Sequence, residues 1–144
     1  ESNWKVNVEI KDHKGKAADA TIVEKVVALI GELGMEKSVI ISSFNHDYLV
    51  RVKKANAAIQ TGALTNSAVV DPLALVNYLG ADAYNPSYKF IDAGQVAKLR
   101  AAGKDVYVWT VNDEPTMKKL IEMGVSGIIT DYPQVLKTVL ASYK

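Results

Sequence analysis

The chain has 144 residues, 49% hydrophobic and 23% charged, with a formal net charge of +1. That is the balance of one globular domain with a sizeable core, and it gives no electrostatic footprint for nucleic acid or an anionic membrane. Cysteine is absent, which excludes a disulfide framework and a thiolate zinc site but leaves the compartment open, whether cytoplasmic, periplasmic or secreted. No run approaches the ~18 apolar residues of a membrane span, and no signal-peptide pattern opens the chain.

From Val6 to Lys11 apolar and polar residues alternate, so Val6, Val8 and Ile10 share one strand face and Asn7, Glu9 and Lys11 the other. A carboxylate and an ammonium two residues apart on an inner face need partners, and a metal and a phosphate would supply them. A half-exposed edge strand with solvated charges is the competing expectation. The first residue is Glu1, not Met, and a strand begins almost at once, so a trimmed or cleaved product is expected.

The polar run Asp12-His13-Lys14-Gly15-Lys16 reads as a loop. A helix from Asp19 or Thr21 follows, with Ile22, Val26, Leu29, Ile30 and Leu33 at helical spacing and Gly34 as its stop. Ser38 to Phe44 is a doubly buried strand with polar atoms at its C-terminal end. Asn45 caps the next helix, which turns Tyr48, Leu49 and Val52 inward before Lys53-Lys54. Ala57 to Leu64 is a weaker strand, and Asp71-Pro72 opens a helix carrying Leu73, Leu75, Val76 and Leu79. Ala81 to Asn85 is a short strand, and Ile91 to Ala102 a helix built on Ile91, Val96 and Leu99 and closed by Gly103. Asp105 to Val111 is the clearest strand, with Val106 and Val108 on one face and Tyr107, Trp109 and Val111 on the other. Asp113-Glu114-Pro115 starts a helix ended by Gly124; a strand over Ser126 to Thr130, a turn at Asp131-Tyr132-Pro133 and a last helix over Val135 to Tyr143 complete the chain.

Six strands alternating with six helices predict right-handed crossovers and a parallel sheet. Units of about 20 to 30 residues match the step of a (β/α) barrel, but an eight-stranded barrel needs two more strands. The expected fold class is therefore α/β, an incomplete TIM (β/α) barrel of about six parallel strands, in one domain over residues 1–144. Polar or aromatic residues gather at strand C-termini: Glu9 and Lys11, Ser42 and Ser43, Thr61, Asn85, Trp109 and Asn112, Thr130 and Asp131. In parallel α/β architectures that end binds ligands.

Five segments in order carry a resemblance: Val8-Glu9-Ile10-Lys11, Val39-Ile40-Ile41-Ser42-Ser43-Phe44, Thr61-Gly62-Ala63-Leu64, Val108-Trp109-Thr110-Val111-Asn112 and Gly127-Ile128-Ile129-Thr130-Asp131-Tyr132-Pro133. Each alone is weak; together they resemble the later part of the glycerophosphodiester phosphodiesterase family, a TIM-barrel group. The resemblance implies hydrolysis of small glycerophosphodiesters to glycerol 3-phosphate and an alcohol, with a divalent cation (magnesium or calcium) held by carboxylates and two histidines as acid and base. It implies a metal-ligand role for Glu9, a phosphate-side role for Lys11 and a cleft-lining role for Trp109. The residue types agree: a hard oxygen donor, a point cation and an apolar wall, although Trp109 equally fits a barrel core.

The family's opening His-Arg-Gly strand and the following segment, with the other metal carboxylates and the second histidine, are absent. The two histidines present, His13 and His46, lack the family's neighbours and read as surface residues, so no catalytic residue is assigned. The chain looks like strands three to eight of a barrel, a truncated or proteolysed form inactive by itself. Its first and last strands would have unpaired edges, and self-association through them is expected. The competing function is a non-catalytic phosphate-binding or assembly module on a partial barrel, since barrels host many functions.

Overall fold

The structure, a computed structural model, describes residues 4–12 and 20–143; His13 lies outside them. The elements alternate as β1 (Val6–Glu9), α1 (Ile22–Glu32), β2 (Val39–Ser43), α2 (His46–Ala55), β3 (Gln60–Thr65), α3 (Pro72–Leu79), β4 (Ala83–Pro86), α4 (Ala93–Ala101), β5 (Asp105–Val108), α5 (Glu114–Glu122), β6 (Gly127–Ile128) and α6 (Pro133–Ala141). A short 3-10 helix, Tyr88–Phe90, follows β4. Strand order follows chain order. The pairing is parallel, with Glu9 opposite Ser42, Ser42 opposite Gly62 and Tyr107 opposite Gly127. A parallel neighbour requires a crossover, which here is always a helix.

The chain forms two compact units, Glu1–Leu64 with Ala74–Ala83 and Thr65–Leu73 with Tyr84–Lys144. In the first, all five residues of β2 are buried, and α2 packs against both β2 and α1. Its core includes Val23, Val27 and Ile30 from α1 and Tyr48, Leu49 and Val52 from α2. In the second, Val106 and Val108 are fully buried; α4 packs on β5, while α5 packs on β6 and α6. Val96 and Leu99 of α4 and Met117 and Leu120 of α5 complete that core.

Local chemistry explains the boundaries. The Asn45 side chain accepts a hydrogen bond from the Asp47 amide at the start of α2. Asp92 and Gln95 cap each other reciprocally at α4. At α5 the Asp113 carboxylate accepts from the Thr116 amide at 2.9 Å. Gly34 and Gly124, at φ 63° and 84°, provide the left-handed residues that end α1 and α5.

Several elements differ from expectation, among them the strand expected over Asp105 to Val111, which stops at Val108. The buried stripe of α1 is Val23, Val27 and Ile30, whereas Leu29 and Leu33 are 54% and 61% exposed. The segment holds two overlapping apolar stripes, and spacing alone does not say which meets the sheet. The strand expected over Ala57 to Leu64 starts at Gln60 and is buried from Thr61 through Thr65. Ala57 and Ala58 belong instead to a turn in which the Asn56 side chain accepts from the Ala58 amide. The last strand shrinks to Gly127–Ile128, yet Val111 still donates to the Ile129 carbonyl at 3.0 Å.

Ile30→Ala should cost about 2–4 kcal/mol in urea unfolding, whereas Leu29→Ala should change stability by less than about 0.5 kcal/mol. The amide and side chain of Thr116 hold the Asp113 carboxyl below the usual carboxylate range. Because its pKa is lower folded than unfolded, its stabilisation is complete at neutral pH and is lost as pH falls through the folded pKa. Asp113→Asn, which keeps an accepting oxygen, should flatten that part of the acid unfolding curve.

Candidate functional site

At the C-terminal end of β1, the parallel ladder carries one step past the strand through the Ile10 amide, which donates to the Ser42 carbonyl at 2.9 Å. The Ser43 hydroxyl then donates to the Ile10 carbonyl at 2.7 Å and accepts from the Asn45 amide at 3.0 Å. Asn45 Nδ2 donates to Asp12 Oδ2 at 3.2 Å, and the Tyr48 hydroxyl reaches Asp12 Oδ1 at 3.5 Å. The residues after β1 are thus tied to the start of α2. A depression of about 440 Å³ at this place is lined by Asp12, Phe44, Asn45 and His46.

His46 departs from the surface reading. It is half-buried, and its Nε2 donates to the Leu64 carbonyl at 2.9 Å. A carbonyl only accepts, so Nε2 carries a hydrogen. His46 is a brace between α2 and the end of β3.

Glu9 and Lys11 are exposed, and neither side chain has a hydrogen-bond or ion-pair partner among the described residues. The energetic argument from a buried carboxylate and ammonium therefore does not hold; β1 shows these charges to solvent while Ile10 is buried at 4% exposure.

The second unit has its own strand ends. Ser87 is the register partner of Trp109, and the half-buried Trp109 donates Nε1–H to the Asn85 carbonyl at 2.8 Å. Gly127 leaves room for the Tyr107 ring, since a Cβ there would lie 2.9 Å from Tyr107 Cδ1. Asn112, Thr130 and Asp131, read from sequence as ligand-end polar residues, bond to one another. Asn112 Oδ1 accepts from the Thr130 hydroxyl and the Asp131 amide, while its Nδ2 donates to Asp131 Oδ2 at 2.8 Å. These three lock the segment after β5 to the segment after β6.

Among the buried side-chain atoms of the described residues, Ser42 Oγ and Asn85 Oδ1 have no hydrogen-bond partner. Adjacent Ser42 and Ser43 point to opposite sheet faces, and only Ser43 is satisfied. Sequence reading missed this division and the Asp12–Asn45 link, for which the only sequence signal was Asn45 in a capping position.

Magnesium or calcium takes six or more oxygen ligands. Among the described residues no three His, Asp or Glu side chains are grouped to hold an ion. Glu9, the expected metal ligand, is a single carboxylate, and the described residues do not group further carboxylates or histidines around it.

The model of the glycerophosphoryl diester phosphodiesterase family matches residues 1–135. The chain belongs to this family. It is 35% identical over 136 residues to the glycerophosphodiester phosphodiesterase of Caldanaerobacter subterraneus subsp. tengcongensis, covering 94% of this chain and 55% of that protein. A solved protein from Silicibacter pomeroyi, described as a glycerophosphoryl diester phosphodiesterase, matches with a TM-score of 0.87 at 25% identity, over 96% of this chain and 50% of that one. An Oleispira antarctica phosphodiesterase in complex with the product sn-glycerol-3-phosphate matches with a TM-score of 0.77 at 23% identity, over 96% of this chain and 56% of that one. The chain spans about half the length of the curated relatives it matches. Its fold is an incomplete (β/α) barrel of six parallel strands alternating with helices. No helix of the described residues is long and apolar enough to cross a membrane.

Ser43→Ala removes two hydrogen bonds and should cost about 1–3 kcal/mol in denaturant unfolding. Ser42→Ala removes an unsatisfied hydroxyl and should be neutral or stabilising by up to about 1 kcal/mol.

Proposed function

We propose that this chain carries ligand-facing strand ends of a metal-dependent glycerophosphodiester phosphodiesterase, which releases glycerol 3-phosphate and an alcohol. The observation that carries the reading is the family match over residues 1–135, which takes in Glu9, Lys11 and Trp109. The Oleispira relative bound to sn-glycerol-3-phosphate supports the ligand class. Glu9 is one oxygen ligand of a magnesium or calcium ion, and exposure leaves its carboxylate available. The ion, when bound by a full set of ligands, supplies Lewis-acid polarisation of the phosphoryl group. Lys11 places a point charge beside the phosphodiester. Trp109, with its indole N–H engaged by the Asn85 carbonyl, turns an apolar ring to the glycerol or alcohol.

An acid–base pair is not among these residues, because His46 Nε2 is engaged by the Leu64 carbonyl. The 144-residue chain therefore binds the phosphomonoester product but does not turn over. The same observation, with the absence of a three-ligand cluster among the described residues, favours as second reading a non-catalytic phosphate-binding or assembly module. Self-association belongs to both readings. Among the described residues β1 pairs with β2 alone, and Trp4 and Val6 are 80% and 45% exposed, a surface that invites a second copy. Light scattering should show mass rising with concentration; a clean monomer at high concentration would remove this part.

The deciding experiment is release of glycerol 3-phosphate from a glycerophosphodiester with Mg²⁺ or Ca²⁺, then with chelator, alongside calorimetric binding of sn-glycerol 3-phosphate. Binding should weaken about tenfold in Lys11→Ala, the loss of one charge-assisted contact. Release from the 144-residue chain should stay at background. Metal-dependent release abolished by Glu9→Ala would contradict the inactivity of the isolated chain. Binding indifferent to Lys11→Ala would remove the phosphate role.

A further inference from the structure

Asn85 sits near the end of β4 at 1% exposure, and its Oδ1 has no partner. A buried amide oxygen without a donor is disfavoured enough that most such groups in folded proteins are paired. The main-chain carbonyl of the same residue accepts from Trp109 Nε1 at 2.8 Å, which lays the indole against residue 85. The next residues continue the ladder, since Ser87 donates to the Thr65 carbonyl and Tyr88 to the Trp109 carbonyl. Ser87 is the register partner of Trp109, so Asn85, two residues back, shares the sheet face of the indole. An acceptor without a donor thus stands on the face that also carries a half-buried aromatic ring.

The geometry points to Asn85 as a specificity-determining residue whose Oδ1 accepts the hydrogen of a hydroxyl on the ligand's glycerol unit as that unit packs against Trp109. This rests on the reading of Trp109 as a wall of the substrate cleft. A site built to accept a hydroxyl discriminates against a ligand that lacks it, because the acceptor is then left unpaired. A ligand hydroxyl reaches the buried Oδ1 only if the ring, whose indole N–H is bonded to the Asn85 carbonyl, shifts as the ligand enters. The Asn85 side chain can be changed without touching that bond, because the acceptor is main chain.

The chain has two tryptophans, Trp4 and Trp109, so in a Trp4→Phe background excitation selective for tryptophan, which avoids the seven tyrosines, reports on Trp109 alone. Titration with sn-glycerol 3-phosphate and with propyl phosphate compares ligands of one charge type and carbon count, with and without hydroxyls. The expected result is a Trp109 response to both, with propyl phosphate about tenfold weaker. Asn85→Leu should bring glycerol 3-phosphate down to the propyl phosphate level and leave propyl phosphate itself unchanged within about twofold. If the leucine variant does not fold by circular dichroism, Asn85→Ala is read for the same ratio. An unchanged ratio in the folded variant overturns the inference alone and assigns Oδ1 to an internal water. Silence of Trp109 toward both ligands overturns the cleft-wall reading and this inference with it.

Discussion

Parallel pairing of β1 on β2 decides where Glu9 and Lys11 can be. The Val6 amide donates to the Ser38 carbonyl at one end and the Ile10 amide to the Ser42 carbonyl at the other. Side chains alternate across a strand, so a slip of one residue would bury Glu9 and expose Ile10. Ile10 is 4% exposed, and its burial is the anchor that keeps the register. The Ser43 hydroxyl on the Ile10 carbonyl extends the hold beyond the ladder, to the residue just before Lys11. Exposure of the two charges and burial of the isoleucine between them are thus one constraint.

Polar residues at the strand ends divide into two kinds. Ser43, Asn45, His46, Asn112, Thr130 and Asp131 spend their donors and acceptors on the protein itself, and they hold loops in place. Glu9 and Lys11 have no such partners among the described residues, and Asn85 and Ser42 each bury an atom without one. Paired groups give a rigid frame, the exposed charges are solvated, and only the two buried unpaired atoms depart from the ordinary pairing of buried polar groups.

Much of the fold was legible because its signals are local. Alternation over Asp105 to Val111 announced a strand, of which Asp105–Val108 forms as β5, and put Tyr107 and Trp109 opposite Val106 and Val108; Asn45 and Asp113 marked helix starts. The inward stripe of α1 was not legible, because Ile22-Val23 and Val26-Val27 offer two apolar faces one residue apart and only the crossover selects between them. The strand β3 was undervalued because Gly62 and Ala63 have low strand propensity, which burial on the pleated surface overrides. The brace by His46 and the lock among Asn112, Thr130 and Asp131 join residues 18 to 19 positions apart. Contacts of that range follow from strand order, which no local window contains.

The most direct measurement is a map of backbone and indole N–H shifts in the isotopically labelled chain as sn-glycerol 3-phosphate is added. The account predicts a saturable shift of the Lys11 amide and a saturable shift of the Trp109 indole N–H, while amides of α1 and α6 stay still. Shifts confined to surfaces remote from the strand C-termini, or no saturable shift at either residue, would contradict it.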